Sequence, residues 1–474
     1  MESTQNSGYS TPGEPFTRDT NYINDRIVAD PAAHRAADHY EYNTIGTLTT
    51  GLTEGAEAWP VEAGRYRLVA ARACPWANRT IIVRRLLGLE DAISLGTPGP
   101  THDADSWTFD LDPGGVDPVL GTERIQQNYF KRFPDYPRGI TVPAIVDIPT
   151  GGVVTNDYPQ ITLDFSTEWT EFHRDGAPNL LPEEHLDEMF SVIKRIFTEV
   201  NNGVYRAGFA GSQQDYEEAY DRLFTAMDWL EERLTDRRYL MTDHITEADV
   251  RLFTTLVRFD AAYHGHFKCN RNKLIEFPAL WAYARDLFQT PGFGDTVDFQ
   301  QIKDHYYIVH HDINPTGIVP KGPVLSEWLT EHRREELGGS PFGDGTAPGP
   351  VREGGRRGPG AQSALRLSLG PGPDPDLSDL GVFGCFNDVP DCAGDRCGLD
   401  QGVGQDQRVV VFPLQHRRIN VTGGNGRDPN PVGLGSDPDT IGKRLQGMFG
   451  RSVDHIIRRG GARSTRTQIH HGAG

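Results

Sequence analysis

The stretch that most restricts the fold reads RYRLVAA at residues 65–71 and CPWANR at residues 74–79. The first segment has the short, bounded apolar character of a buried strand. Apolar residues at helical spacing follow the second segment, so Cys74 is predicted where a strand turns into a helix. Pro75 suits the first helical position, because its missing N–H would have no partner there. The predicted apolar stripe consists of Ala77, Ile81, Ile82, Leu86 and Leu89.

This position of Cys74 predicts a reactive thiol. The unpaired N–H groups and the positive dipole end of a helix favour a thiolate over a thiol, and the thiolate is the form that attacks sulfur. Position 77, where a Cys-x-x-Cys motif would carry its second cysteine, is alanine. We therefore predict a monothiol redox nucleophile with a lowered pKa; the alternative is an inert, buried cysteine.

Composition restricts the compartment and the partners. The chain has 474 residues, enough for two or three domains. Its formal net charge of −19 argues against nucleic acid and anionic membranes as partners. Its five cysteines are widely spread and suggest no disulfide framework, which suits a reducing cytoplasm. Since no stretch approaches about 18 apolar residues, we expect a cytoplasmic protein with no membrane span and no secretory signal.

Sequence patterns divide the chain into four segments. Residues 1–60 are polar and irregular, and we expect an arm that packs onto the body. Residues 61–165 read as a strand, a helix, a loop and two further strands, and Pro143 at the start of one of these suggests the cis proline of thioredoxin-like folds. Residues 166–337 show helical periodicity. Residues 338–474 are rich in Gly, Pro, Arg and Asp, and we predict a low-complexity, disordered tail because they offer too little apolar surface to offset chain entropy. Translation in a displaced reading frame would also explain that composition.

Six further motifs make the chain similar to the glutathionyl-hydroquinone reductases, the Xi class of glutathione transferases, from about residue 15 to 335. They are SWTF (106–109), ITVPAIVD (140–147), NNGVYRAGFA (201–210), TEADVRLF (246–253), AAYHGHFKCN (261–270) and HYYIVHHDINPTGIVPKGP (305–323). The resemblance implies an α/β thioredoxin-like, thiol-binding N-terminal domain over residues 61–165. It also implies an all-α C-terminal substrate domain over residues 166–337, and usually a homodimer.

The resemblance also implies a reaction. In this family the nucleophilic cysteine, which matches Cys74, attacks the thioether sulfur of a glutathionyl-hydroquinone and releases the hydroquinone. A second thiol then resolves the mixed disulfide. A family tyrosine that serves as proton donor or acceptor matches Tyr205, and two that lower the pKa of the thiol match Tyr263 and Tyr306. A phenol can pass a proton to a quinol ring, and hydroxyl donors stabilise a thiolate. Since consecutive residues point in different directions, only Tyr306, and not Tyr307, is expected to face the thiol.

The thiol pocket departs from the family pattern. Trp107 matches the tryptophan that covers glutathione, and Ile140, Thr141 and Val142 match the strand that pairs with its backbone. Where the family has Asn-Glu-Ser, with the last two residues holding the γ-glutamyl end, this chain has Asn156-Asp157-Tyr158. Asn78 also replaces the usual histidine after CPWA, a change that we assign to the thiol pocket. The expected co-substrate is therefore glutathione or an alternative thiol such as mycothiol, and the expected substrate is a small quinol–thiol conjugate.

Several other residues invite a metal or catalytic interpretation that we do not favour. The histidine pairs are His264 with His266, and His310 with His311. They lie within motifs of a metal-free family, so we expect no metal. The tail cysteines, whose spacing is poor for zinc, are Cys385, Cys392 and Cys397. Thr246 and Asp249 form a variant capping box with a role in folding, and Cys269 is expected to pack in the helical domain.

Two other functions stay open at this stage. An omega-like general thiol transferase or dehydroascorbate reductase would share the Cys-Pro site but would not need the three tyrosines. A non-catalytic transferase-like interaction module would tend to lose the nucleophile, whereas this chain keeps Cys74.

Overall fold

A four-stranded sheet lies at the centre of the N-terminal domain. The structure, a computed structural model, describes residues 10–31 and 55–351. Within them β1 spans Arg26–Val28, β2 Ala58–Pro60, β3 Tyr66–Val69, β4 Ile93–Gly96, β5 Ala144–Asp147 and β6 Gly152–Thr155. The sheet has the order β4-β3-β5-β6, in which β3 pairs parallel to β4 and antiparallel to β5, and β5 pairs antiparallel to β6. Every residue of β3, β5 and β6 is buried, which explains their apolar composition.

The helix predicted after Cys74 is present. Helix α1 spans Pro75–Leu87, with Cys74 as its N-cap residue and proline in its first turn. It ends at Gly88, whose φ of 76° closes the helix with N–H bonds to the carbonyl oxygens of Arg84 and Arg85. All of its residues are buried, because the helix packs between the sheet and later helices. The predicted change from strand to helix at Cys74 is confirmed.

The described residues of the arm contain two short strands that the sequence does not predict. β1 pairs in parallel with β2, with Arg26 opposite Ala58. Arg26 also forms a buried ion pair with Asp164. The Ile23 N–H also donates to the Asn156 side chain at 2.7 Å. Together these contacts hold residues 23–28 against the folded N-terminal domain.

In the described part of the chain, two further helices lie within residues 126–167, and all the elements that follow are helical. The helices are α2 (Gln126–Arg132), α3 (Tyr158–Thr167), α4 (Leu186–Arg195), α5 (Gly203–Gly208), α6 (Gln213–Arg233), α7 (Glu247–Arg258), α8 (Pro278–Gln289) and α9 (Phe299–Asp304). Three π-helical turns accompany them, at Ile196–Asn201, Phe259–Tyr263 and His305–Val309. The α/β domain followed by an all-α domain is the predicted fold class. None of the helices in residues 10–31 and 55–351 combines the length and apolarity that a membrane crossing needs.

Helix α7 begins at the predicted capping box. The Thr246 N–H donates to Asp249 Oδ2 at 2.8 Å, and the reciprocal bond to Thr246 is also present. The Asp249 carboxylate further accepts bonds from the Leu240 N–H and the Tyr283 hydroxyl. Asp249 is fully buried, so its role is to satisfy donors in the core.

Residues 338–351 differ from the predicted tail. The Ser340 N–H donates to Asp243 O, the Thr346 N–H donates to Gly176 O, and Gly349 O accepts from Arg85. Phe342 is 9% exposed. These backbone bonds fix the segment on the helical body although its composition is poor in apolar residues. The tail cysteines Cys385, Cys392 and Cys397, like the rest of residues 352–474, lie outside the described residues.

Candidate active site

Cys74 lies at the junction between the sheet and α1. Its backbone is extended, with φ −77° and ψ 124°, and its side chain is 8% exposed. The thiol Sγ is 3.5 Å from the Val142 carbonyl oxygen, to which it donates. Val142 precedes Pro143, and the bond between them is cis, as the sequence context suggested. Cys74 and the segment directly before β5 therefore form one wall of the candidate site.

The expectation of a lowered Cys74 pKa is wrong for this structure. Burial raises the pKa of the thiol, because the charged form is removed from water. The backbone N–H groups of Ala77 and Trp76, together with the positive charges of Arg258 and Arg18, act in the opposite direction. The helix N-terminus does favour the thiolate as predicted, but desolvation by the surrounding residues outweighs it.

The three predicted tyrosines meet in one hydrogen-bonded cluster. The Tyr306 hydroxyl lies 2.6 Å from the Tyr205 hydroxyl and 2.8 Å from that of Tyr263. All three side chains are buried, and burial raises the pKa of each phenol above its ordinary value. Tyr205 and Tyr263 both interact electrostatically with Cys74. The cluster is therefore neutral near pH 7 and can donate protons beside the thiol.

Tyr306 and Tyr307 do face different surroundings. The Tyr307 ring packs on His266, with 4.6 Å between centroids, while the Tyr306 hydroxyl joins the cluster. π-Helical turns contribute to this arrangement, since Tyr263 and Tyr306 lie within such turns and Tyr205 follows a third. A π turn adds a residue to a helical turn and is frequent at functional sites. No feature of the sequence predicted these turns.

Trp107 is fastened to the helical domain. Its ring stacks on that of His305, with centroids 4.8 Å apart and planes 21° apart, and its side chain is 8% exposed. His305 Nδ1 in turn lies 2.9 Å from Pro100 O. The indole of Trp107 is thus held against His305 of the helical domain.

Residues 140–142, which the sequence predicts as the thiol-pairing strand, precede β5 and bond to neighbouring parts of the domain. Thr141 O accepts from the Tyr129 hydroxyl at 2.8 Å, and Thr141 Oγ1 accepts from the Asn156 side chain at 2.9 Å. Ile140 is half-buried and Thr141 is exposed, whereas Val142 is buried against the thiol. Of residues 140–142, the backbone of Val142 is therefore the part that lies next to Cys74.

Tyr158 closes the position where the family has serine. Its ring lies 4.8 Å from that of Trp76 and 5.4 Å, edge-on, from that of Tyr22 in the arm. The Tyr22 and Tyr158 phenols also interact electrostatically. Asp157, the N-cap residue of α3, is 2% exposed. The segment that the resemblance assigns to the γ-glutamyl end thus lies in a buried aromatic cluster.

Asn78 does not lie in the thiol pocket, which corrects the sequence-based interpretation. It is fully buried, and its Nδ2 donates to Thr296 Oγ1 at 2.8 Å. Its Oδ1 accepts from Arg258 Nη1 at 3.2 Å. The residue therefore connects α1 to the helical domain and acts through Arg258.

Sequence reasoning missed two arginines. The Arg18 guanidinium carbon lies 4.6 Å from the Trp76 ring centroid and 4.7 Å from that of Tyr205, and Arg18 Nε donates to Asn202 Oδ1 at 2.9 Å. Arg258 donates to backbone carbonyls directly before Cys74. Neither side chain has a recognisable motif, because each reaches the site from a distant part of the chain.

His266 and His310 form a buried pair, whereas His264 is half-buried and His311 is exposed. His266 Nε2 lies 3.1 Å from His310 Nδ1, and burial lowers the pKa of His266 to about 4. Within the described residues no group of three His, Cys, Asp or Glu side chains is arranged to hold a metal ion. Cys269 is fully buried, and burial raises the pKa of its thiol. These residues pack the helical domain behind the tyrosines.

Comparison with known proteins agrees with this geometry. The family described as glutathione S-transferase, N-terminal domain, matches residues 73–166, and the corresponding C-terminal domain matches residues 213–286. The chain is 40% identical over 269 residues to the glutathionyl-hydroquinone reductase PcpF of Sphingobium chlorophenolicum, which covers 56% of this chain and 84% of that protein.

Two solved structures extend the comparison. A glutathione transferase from Gordonia bronchialis is 67% identical with a TM-score of 0.64, over 70% of this chain and 96% of that one. The glutathione-S-transferase Xi from Phanerochaete chrysosporium is 39% identical with a TM-score of 0.55, over 56% and 92%. With both glutathione S-transferase domains matched and a reductase 40% identical over 84% of its own length, the chain belongs to the glutathionyl-hydroquinone reductases, the Xi-class glutathione S-transferases, and is an enzyme.

Proposed function

We propose that this enzyme reduces thiol-conjugated hydroquinones to free hydroquinones through a mixed disulfide on Cys74. The observation that carries the proposal is the buried tyrosine cluster, in which Tyr306 links Tyr205 to Tyr263 beside a single thiol. A general thiol transferase needs only the thiol, whereas breaking a bond between sulfur and a quinol carbon also needs a proton donor for that carbon.

The reaction balances with these groups. The Cys74 thiolate attacks the thioether sulfur, an S–S bond forms, and the C–S bond breaks with its electron pair going to the ring carbon. That carbon takes a proton from the Tyr205 hydroxyl, which is neutral at pH 7 because burial raises its pKa. A second thiol then attacks the mixed disulfide and its proton returns to the Tyr205 oxygen, so the Cys74 thiolate and the Tyr205 hydroxyl are restored and a low-molecular-weight disulfide leaves. The thiol is oxidised and the conjugate is reduced.

The thiol is glutathione or a larger alternative such as mycothiol. The name of the relative in Sphingobium chlorophenolicum supports glutathione. The buried contacts of Tyr158 with Trp76 and Tyr22 support the alternative, because they occupy the position of a small hydroxyl residue that would bind a γ-glutamyl group. Trp107 is assigned to cover the thiol, with the backbone of Ile140, Thr141 and Val142 pairing with it and Asp157 binding its polar end.

The test is incubation of the full chain with a glutathionyl- and a mycothiyl-hydroquinone, each with an excess of the matching thiol. Free hydroquinone is expected, and its formation should disappear in Cys74→Ser. The conjugate with the higher kcat/KM identifies the thiol. If neither conjugate releases hydroquinone while Cys74 still exchanges with simple disulfides, the proposal is wrong and general thiol transfer is the better assignment.

The division into two domains and the homodimer are proposed from the family as well. Residues 61–165 would form the thiol-binding domain and residues 166–337 the substrate domain of a cytoplasmic homodimer. The family match to both domains supports this division. Light scattering on the purified chain would measure the mass, and a monomer at micromolar concentration would contradict the dimer.

A further inference from the structure

Arg258 is a buried cation whose hydrogen bonds go to uncharged oxygens. It is the last residue of α7 and is 0% exposed. Its donors reach Thr254 O at 2.7 Å, Arg72 O at 2.8 Å, Ala73 O at 3.0 Å and Asn78 Oδ1 at 3.2 Å.

Several other buried arginines of the described chain have a carboxylate partner: Arg26 bonds to Asp164, Arg67 to Asp117 and Arg251 to Glu247. Buried Arg84 and Arg334, like Arg258, bond to carbonyl oxygens instead. Among the described residues, no carboxylate lies within ion-pair distance of Arg258. A buried charge without an opposite charge is costly, so an anion that forms close to Arg258 would be stabilised by it.

The position of Arg258 identifies that anion. Two of its acceptors, Arg72 O and Ala73 O, belong to the residues directly before Cys74. Its charge is the strongest among the charged groups that favour the Cys74 thiolate, and it opposes the effect of burial. The Arg258 guanidinium thus hydrogen-bonds to the turn that carries Cys74, and its positive charge favours the thiolate form of Cys74.

We propose that Arg258 is a positioning residue that fixes the Cys74 turn and supplies the permanent counter-charge of the Cys74 thiolate, and that Asn78 orients Arg258 without neutralising it. This rests on the proposed function only in taking Cys74 as the reacting group. The Asn78 amide oxygen gives Arg258 an acceptor without a negative charge. An aspartate there would pair with Arg258 and withdraw its charge from the thiol, and a protonated histidine would add a second buried cation.

Other charged or titratable groups also face Cys74, and the test must separate them from Arg258. These groups are Arg18 on the arm, Arg79 on α1, Tyr205 on α5, and Tyr263 in the π turn that follows α7. Arg79 hydrogen-bonds to Asn201 and rests on the Trp76 ring. Arg18 rests on the Trp76 and Tyr205 rings. Of the three arginines, Arg258 is the one with described hydrogen bonds to the backbone before Cys74.

The experiment measures the rate of iodoacetamide alkylation of the Cys74 peptide by mass spectrometry from pH 5 to 10. The variants are Arg258→Met, Arg258→Lys and Asn78→Asp. Arg84→Met is the matched control, because Arg84 is also buried and bonds to the carbonyls of Ile93 and Glu90. Thermal unfolding of each variant shows whether it is folded.

We expect Arg258→Met to raise the midpoint of the alkylation profile by about one pH unit or more, as loss of an adjacent opposite charge does. Arg258→Lys should restore most of the wild-type midpoint, since the charge is kept, and Arg84→Met should leave the midpoint unchanged. A role limited to holding the turn would make Lys as harmful as Met. Asn78→Asp should raise the midpoint by a similar amount in a stably folded protein. If Arg258→Met does not fold, the midpoint of Asn78→Asp tests the role of the Arg258 charge in its place.

Two outcomes would overturn the inference. One is an unchanged midpoint in Asn78→Asp and in folded Arg258→Met. The other is an equal shift in the Arg84→Met control. Hydroquinone release is measured in parallel, and its absence in the wild type together with a shifted midpoint in the variants would reject the proposed function while leaving the role of Arg258 intact.

Discussion

Removal of the central hydroxyl of the tyrosine cluster should lower the free energy of unfolding more than removal of either outer hydroxyl, but should slow catalysis less than removal of the Tyr205 hydroxyl. Tyr306→Phe deletes the group that bonds to both Tyr205 and Tyr263. Each buried hydrogen bond contributes about 1 kcal/mol, so the loss of two gives about 2 kcal/mol, and more if a partner hydroxyl stays unsatisfied. Tyr205→Phe and Tyr263→Phe each delete one such bond and should cost about 1 kcal/mol.

The catalytic order is expected to be different. Tyr205→Phe removes the proposed proton donor and should slow hydroquinone release by a factor of about 10² to 10⁴, the usual contribution of a general acid. Tyr306→Phe leaves the Tyr205 hydroxyl in place and should slow release much less. Exchange of Cys74 with a simple disulfide needs no carbon protonation, so Tyr205→Phe should barely change it.

Two measurements on the same four proteins check this. Urea unfolding followed by tryptophan fluorescence gives the loss in free energy of unfolding, and release of hydroquinone from the preferred conjugate gives kcat/KM. If Tyr306→Phe is no less stable than Tyr263→Phe, the shared hydroxyl does not bridge the cluster. Equal losses of release and of disulfide exchange in Tyr205→Phe would remove its assigned role.

Three further predictions concern the pocket, the core and acid stability. Tyr158→Ser removes the aromatic ring from the candidate γ-glutamyl position and should raise kcat/KM for the glutathionyl conjugate relative to the mycothiyl conjugate; an unchanged ratio would show that this ring does not select the thiol. Asp249→Ala leaves the Thr246 and Leu240 N–H groups and the Tyr283 hydroxyl without their acceptor, so unfolding should become easier by about 3 kcal/mol, measured by urea titration. Burial lowers the pKa of His266 to about 4, against about 6.5 in the unfolded chain. Since the unfolded chain then binds the proton first, the free energy of unfolding should fall as the pH drops from about 6.5 to about 4. His266→Asn should flatten this dependence, and an equally steep curve in that variant would assign the effect to other groups.

Local features of the fold could be predicted because they depend on near neighbours. The strand before Cys74, the helix after it and the capping box at Thr246 and Asp249 are confirmed. Strand burial, helix periodicity and caps arise from contacts within about one helical turn or one strand pair. The motif resemblance also selected Tyr205, Tyr263 and Tyr306, and the structure brings their hydroxyls together.

The errors concern properties that distant residues control. The pKa of Cys74 was predicted from the helix N-terminus, but the side chains and arm around the thiol exclude water and reverse the direction of the shift. Asn78 was assigned to the thiol pocket because of its neighbours in sequence, whereas its partners are Thr296 and Arg258. Residues 338–351 were assigned to the tail by composition, yet their backbone bonds fix them to the body.

By itself, the sequence therefore determined the strand and helix on either side of Cys74, the helical character of residues 166–337 and the candidate tyrosines, whereas β1, β2 and β4 were not predicted. Only the tertiary structure decided which groups meet at the thiol, because Arg258 lies 184 residues from Cys74 and the arm contributes Arg18. It also decided the sign of the Cys74 pKa shift. Desolvation and Coulomb interactions depend on what is packed around a group in space, and separation along the chain carries no information about that packing.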